Sequence, residues 1–66
     1  MTWPERIETL CQHYGGNTAV SQRLGVGYAT VSRWRNAHFT PHSRPVIHAI
    51  EALETQMAEE VTEWEL

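Results

Sequence analysis

Within nine residues the chain places Tyr28, Ala29, Ser32, Arg33 and Asn36, a set whose spacing could do recognition chemistry. At ~100° per residue these five fall within one arc of a helix, and Val31 and Trp34 fall on the opposite side. The arc carries a guanidinium, a carboxamide, an aliphatic hydroxyl, a phenol and a methyl group, so it is rich in hydrogen-bond donors. A helix of that kind suits the major groove of duplex DNA, where base pairs differ in their donor and acceptor pattern. Arg33, at mid-face, has the fork of donors that pairs bidentately with guanine O6 and N7. Tyr28 can offer its ring to a thymine methyl or its hydroxyl to a base or phosphate. Alternatively, its bulk packs on its own chain. Ser32 can reach a base or a phosphate.

Such a helix needs an anchor, and the preceding residues supply one. Asn17 to Leu24 place Val20 and Leu24 on one face, with small Ser21 beside them to allow close approach of the next helix. Gly25 follows the last apolar residue, where a helix C-terminus favours positive φ. Gly27 precedes the second helix, and with no side chain to cap it costs a few tenths of a kcal/mol against serine. Upstream, Thr2-Trp3-Pro4-Glu5 predicts a capping box with proline in the first turn. Trp3, Ile7, Leu10, Cys11 and Tyr14 then follow at helical spacing up to Gly15-Gly16. Asn17 is suited to cap the second helix. Residues 37–44 predict a loop with Phe39 plugging onto the core, and Ser43 and Pro45 mark the next helix start.

The string from Gly16 to Asn36, centred on Leu24-Gly25-Val26-Gly27 and Thr30-Val31-Ser32-Arg33-Trp34, resembles the helix-turn-helix of lambda repressor and Cro-like phage regulators. The likeness covers about a third of the chain. It departs from the family at Gly27, where Ser or Thr usually caps, and at Ala37, where glycine is frequent. The resemblance implies that Tyr28 and Ala29 meet base edges alongside Ser32 and Arg33. It further implies that Asn17 and Asn36 contact phosphate, with Arg35 and Arg44 supplying flanking charge, Arg35 nearer the edge of the arc. A homodimer would set two such helices in successive major grooves of an inverted repeat. A fainter likeness, from Thr40-Pro41 into Val46-Ile47-His48-Ala49-Ile50-Glu51-Ala52-Leu53, is to anti-CRISPR-associated repressors.

Net charge is −3, which is unusual for a DNA binder, but it is unevenly placed. Residues 1–50 hold all five arginines against Glu5 and Glu8, giving +3, and residues 51–66 hold six glutamates and no base, giving −6. With so few cations one subunit neutralises few phosphates, so useful affinity calls for two. The last helix carries Val46, Ile50, Leu53, Met57 and Trp64 in one stripe, with Val61 beside it and Glu60 interrupting it. Such a stripe runs about 27 Å at 1.5 Å per residue, more than a three-helix core covers. Leu53, Met57, Val61 and Trp64 are therefore expected at a dimer interface. The glutamates crowding this C-terminus oppose the helix macrodipole, so the end either frays or meets a compensating partner.

These readings lead to an all-α fold: one domain over residues 1–66, with four to five helices, lambda repressor-like, and residues 57–66 an acidic helical tail extended for dimerisation. The implied function is a cytoplasmic, sequence-specific transcriptional regulator, a dimeric repressor of a phage or mobile-element operon, partnered by double-stranded DNA. A single cysteine excludes an intrachain disulfide. No apolar run reaches the roughly 20 residues of a membrane span, and no basic-then-apolar pattern suggests secretion, so an intracellular, soluble chain is expected. Cys11, His13, His38 and His42 lack zinc spacing, so no metal or cofactor is expected. Nothing resembles a nucleophile–base pair or a small-molecule site, which argues against an enzyme. Two other functions use the same features: an architectural or excisionase-type DNA-bending factor, and an antitoxin or adaptor working through the acidic helix.

Overall fold

The computed structural model describes residues 1–65, with side chains to residue 63. Four helices follow in order: α1 (Trp3–Tyr14), α2 (Asn17–Leu24), α3 (Tyr28–Arg35) and α4 (Arg44–Glu65). No strand occurs among the described residues. Among the described residues no helix is long and apolar enough to cross a membrane.

Local chemistry sets each boundary. At the start of α1 the Glu5 amide donates to the Thr2 hydroxyl oxygen at 3.4 Å, and the Thr2 amide donates to the Glu5 carboxylate at 3.3 Å. The Thr2 hydroxyl also donates to that carboxylate at 2.8 Å, and these bonds hold the Glu5 pKa below the ordinary carboxylate value. α1 ends where Gly15 turns left-handed at φ 104, and the Gly15 and Gly16 amides both donate to the Cys11 carbonyl. Gly16, at φ 129, occupies the N-cap of α2. Asn17 is thus the first helical residue rather than the cap, because the αL–extended turn at Gly15-Gly16 brings the helix in one residue early. Gly25 closes α2 at φ 73, and Gly27 enters α3 in ordinary extended backbone with no side-chain cap.

The exit from α3 is built as a glycine would build it, but with alanine. Ala37 has φ 62 and is the one described non-glycine residue at positive φ. Its amide donates to the Trp34 carbonyl and the His38 amide to the Arg33 carbonyl, the paired bonds of a Schellman turn. The methyl group clashes in the left-handed region, so this residue stores strain in order to close the helix.

All four helices contribute to one core: Ile7, Leu10 and Cys11 from α1, Val20 from α2, Val31 and Trp34 from α3, Ile50 and Leu53 from α4. Buried Ser21 satisfies its hydroxyl locally by donating to the Thr18 carbonyl at 2.8 Å, and its small side chain lets α2 and α3 pack closely. Leu53, expected at a dimer interface, is only 6% exposed and belongs to this core. Met57 packs partly buried against it, whereas Val61 is exposed. The Trp64 side chain lies outside the described residues.

The reason the core reaches so far along α4 is that α1 lies lengthwise beside it. Arg6 Nε donates to Glu54 at 2.9 Å, and His13 Nε2 lies 2.7 Å from Glu60. The two pairs are separated by similar distances on both helices, so α1 and α4 run in the same direction. Glu60 therefore finds a partner within its own chain, and the His13 contact is the main cause of its lowered pKa. Next to the second pair sits Tyr14, its hydroxyl buried near Glu60 and its pKa raised, first by burial and then by the Glu60 charge. Arg23 covers the other face of that ring, 4.2 Å from its centroid.

Candidate nucleic-acid interface

α3 is anchored by one face and bare on the other. Val31 is fully buried and Trp34 is 5% exposed, held between α1 and α2. On the outward face Tyr28 (58% exposed), Ala29, Arg33 and Asn36 stand in solvent, with Ser32 half-buried among them. Asn36 Nδ2 donates to Ser32 Oγ at a long 3.4 Å, which leaves both groups largely free to bond elsewhere. The structure thus brings together five of the eight residues expected to meet DNA.

Arg44, the sixth, is exposed at the first position of α4. Among the described residues neither Arg33 nor Arg44 is in an ion pair. The remaining two, Asn17 and Arg35, are occupied by the protein itself. Arg35 Nε donates to Glu8 Oε2 at 2.6 Å, and its Nη2 also closes on that carboxylate. Arg35 Nη1 donates to Asn17 Oδ1 at 2.7 Å, and the Cys11 thiol donates to the same oxygen at 3.4 Å. Glu8 and Cys11 of α1, Asn17 of α2 and Arg35 of α3 meet here, so the clasp fixes α3 against its two supports. Cys11 is buried, which pushes its thiol pKa up and leaves it protonated and unreactive.

Phe39 departs from its expected place. It is 62% exposed, and Pro41 takes the buried loop position instead. The Schellman turn at Ala37 swings the loop so that the Phe39 ring stands beside the α3 face, its centroid 5.8 Å from the Arg33 guanidinium carbon. At that separation the cation–π attraction is weak, but the ring limits where Arg33 can swing. Behind Phe39 a hollow of about 340 Å³ opens between α3, the loop and the start of α4, lined by Val26, Thr30, Trp34, Pro41 and Val46 among others.

Two members of the site were not evident in the sequence. Glu8 had no motif around it, and its role depends on α1 packing against the last turn of α3. Phe39 was read as core because it is the largest apolar residue in the loop, a pattern that also fits an exposed aromatic beside a binding face. Chemically the surface can donate hydrogen bonds and offer apolar contact. Among the described residues no three His, Cys, Asp or Glu gather where they could hold a metal ion. Comparisons with protein-family models, curated proteins and solved structures found no match to this chain.

Proposed function

We propose that this chain is a sequence-specific DNA-binding transcriptional regulator, acting as a dimeric repressor in a phage or mobile-element operon. In this reading α2 and α3 form a helix-turn-helix, and α3 enters the major groove. The observation that carries it is the division of α3: an outward face of Tyr28, Ala29, Ser32, Arg33 and Asn36 opposite the buried anchors Val31 and Trp34. Arg33 is the principal base reader, pairing with guanine, and Tyr28, Ala29 and Ser32 contact neighbouring bases. Phe39 beside it adds apolar contact to a thymine methyl or a sugar.

Asn36 and Arg44 bind phosphate and set the register without reading sequence. The Asn17 carboxamide has its oxygen taken by Arg35 and can still donate through Nδ2 at the N-terminus of α2, where the helix dipole also favours an anion. With few free cations, two subunits share one site, joined through the far end of α4 around Val61 and beyond. Bound over a promoter, such a dimer blocks polymerase.

Selection of bound duplexes from a random-sequence pool tests the proposal. An inverted repeat with half-sites about one helical turn apart, roughly 10–10.5 bp, is expected. A pool that stays unenriched after repeated rounds refutes it and returns the acidic α4 to consideration as the protein's working surface.

A further inference from the structure

We infer that Glu8, by neutralising Arg35, withholds one phosphate contact from the DNA interface and so limits affinity for DNA of any sequence. The inference rests on the proposed DNA-binding function and deepens it. Its basis is the accounting of cations: the chain has five arginines and no lysine. Arg6 is spent on Glu54, and Arg35 on Glu8. Arg23 is engaged with the Tyr14 ring, its guanidinium carbon 4.2 Å from the centroid. That leaves Arg33 and Arg44 as the cations able to meet DNA unopposed.

Arg35 sits in the last turn of α3, one residue before Asn36, so only a small swing separates it from the phosphates that Asn36 would touch. What prevents the swing is geometry as well as charge. Nε and Nη2 are held by one carboxylate and Nη1 by the Asn17 oxygen, and both partners lie on helices already fixed by the core. A phosphate would have to displace both partners at once and leave the Glu8 carboxylate facing the DNA backbone. Phosphate contacts strengthen binding to every sequence equally, whereas base contacts discriminate. Silencing Arg35 therefore lowers affinity for every sequence alike, weakening retention on non-specific DNA while discrimination among sites stays with Arg33.

The dependence of affinity on salt counts phosphate contacts, at about 0.9 in the log–log slope for each one on duplex DNA. Glu8→Gln keeps the side chain's size and releases the charge. It should steepen the slope by about 0.9 per subunit and tighten binding to random-sequence duplex and to the selected site by the same factor. Glu51→Gln, an equal change of charge on the exposed face of α4, should leave the slope as it is. Arg35→Ala alone should also leave it unchanged, and Glu8→Gln with Arg35→Ala should return it to the wild-type value. Circular dichroism of each variant confirms folding.

An unchanged slope in Glu8→Gln overturns the inference, and so does a shallower slope in Arg35→Ala, which would mean Arg35 already touches phosphate. If the wild type binds no duplex at all, the functional proposal fails, and elution from heparin still judges Glu8. Glu8→Gln eluting at higher salt than Glu51→Gln supports the withheld charge, and co-elution of the two overturns it.

Discussion

Replacing Ala37 by glycine should stabilise the protein, and the size of the gain follows from one backbone angle. Ala37 closes α3 at φ 62, where the β-carbon crowds the following carbonyl oxygen at a cost of about 1–2 kcal/mol. Glycine removes that cost but loses about 0.4–1 kcal/mol through the extra freedom of the unfolded chain. The two Schellman bonds from the Ala37 and His38 amides involve backbone alone, so glycine keeps them. The net gain is about 0–1.6 kcal/mol, centred on about 0.8 kcal/mol, which for a chain of this size raises Tm by roughly 3–6 °C at the centre of the range. Thermal and urea denaturation followed by circular dichroism measure it, with an unchanged urea m-value showing that the effect lies in stability alone. Ala37→Val should move the other way, since a branched β-carbon fits this region worse. A Tm in Ala37→Gly at or below wild type, or a Val variant as stable as the parent, would refute the reasoning that this turn stores strain.

Gly27→Ser should stabilise by a few tenths of a kcal/mol, because the cap position has ordinary extended φ and an added β-carbon meets only the Thr30 hydroxyl, at an ordinary contact of 3.9 Å; denaturation checks it. Leu53→Ala should cost about 2–5 kcal/mol in the monomer, since Leu53 is core, whereas Val61→Ala should leave monomer stability within about 0.5 kcal/mol. Sedimentation across a concentration series separates the two, with Val61→Glu weakening self-association if α4 ends join. Stability should fall on acidification below the ordinary carboxylate value of 4.5. Glu5 and Glu60 both have folded pKa values depressed below their unfolded ones, so their contribution is present above the ordinary value and lost as pH falls through the lowered one. Glu60→Gln should flatten that acid limb in a pH series of melting curves.

The local signals in the sequence correspond closely to the helices that form. The Thr2–Glu5 box, the Gly15 and Gly25 stops and the Val31/Trp34 anchor all depend on residues within one helical turn, and their spacing carries the information. Asn17 was misread as a cap because two consecutive glycines make either of two residues able to start α2, and only the backbone at Gly16 decides. Leu53 was placed at an interface because its burial depends on how α1 lies along α4, a long-range relation that periodicity within α4 does not express. The same limit hid Glu8, which becomes meaningful only beside Arg35, 27 positions away in the chain. Phe39 depended on Ala37 adopting a conformation that alanine rarely takes.

The most direct measurement is the affinity of wild type and Arg33→Ala for the selected site and for the same site changed at each base pair in turn, at one moderate salt concentration. Arg33→Ala is predicted to lose about 1–3 kcal/mol, roughly 5- to 150-fold, on the selected site and to become indifferent at one base pair per half-site. Equal loss on every sequence, or no loss, would contradict the central claim that the outward face of α3 reads DNA through Arg33.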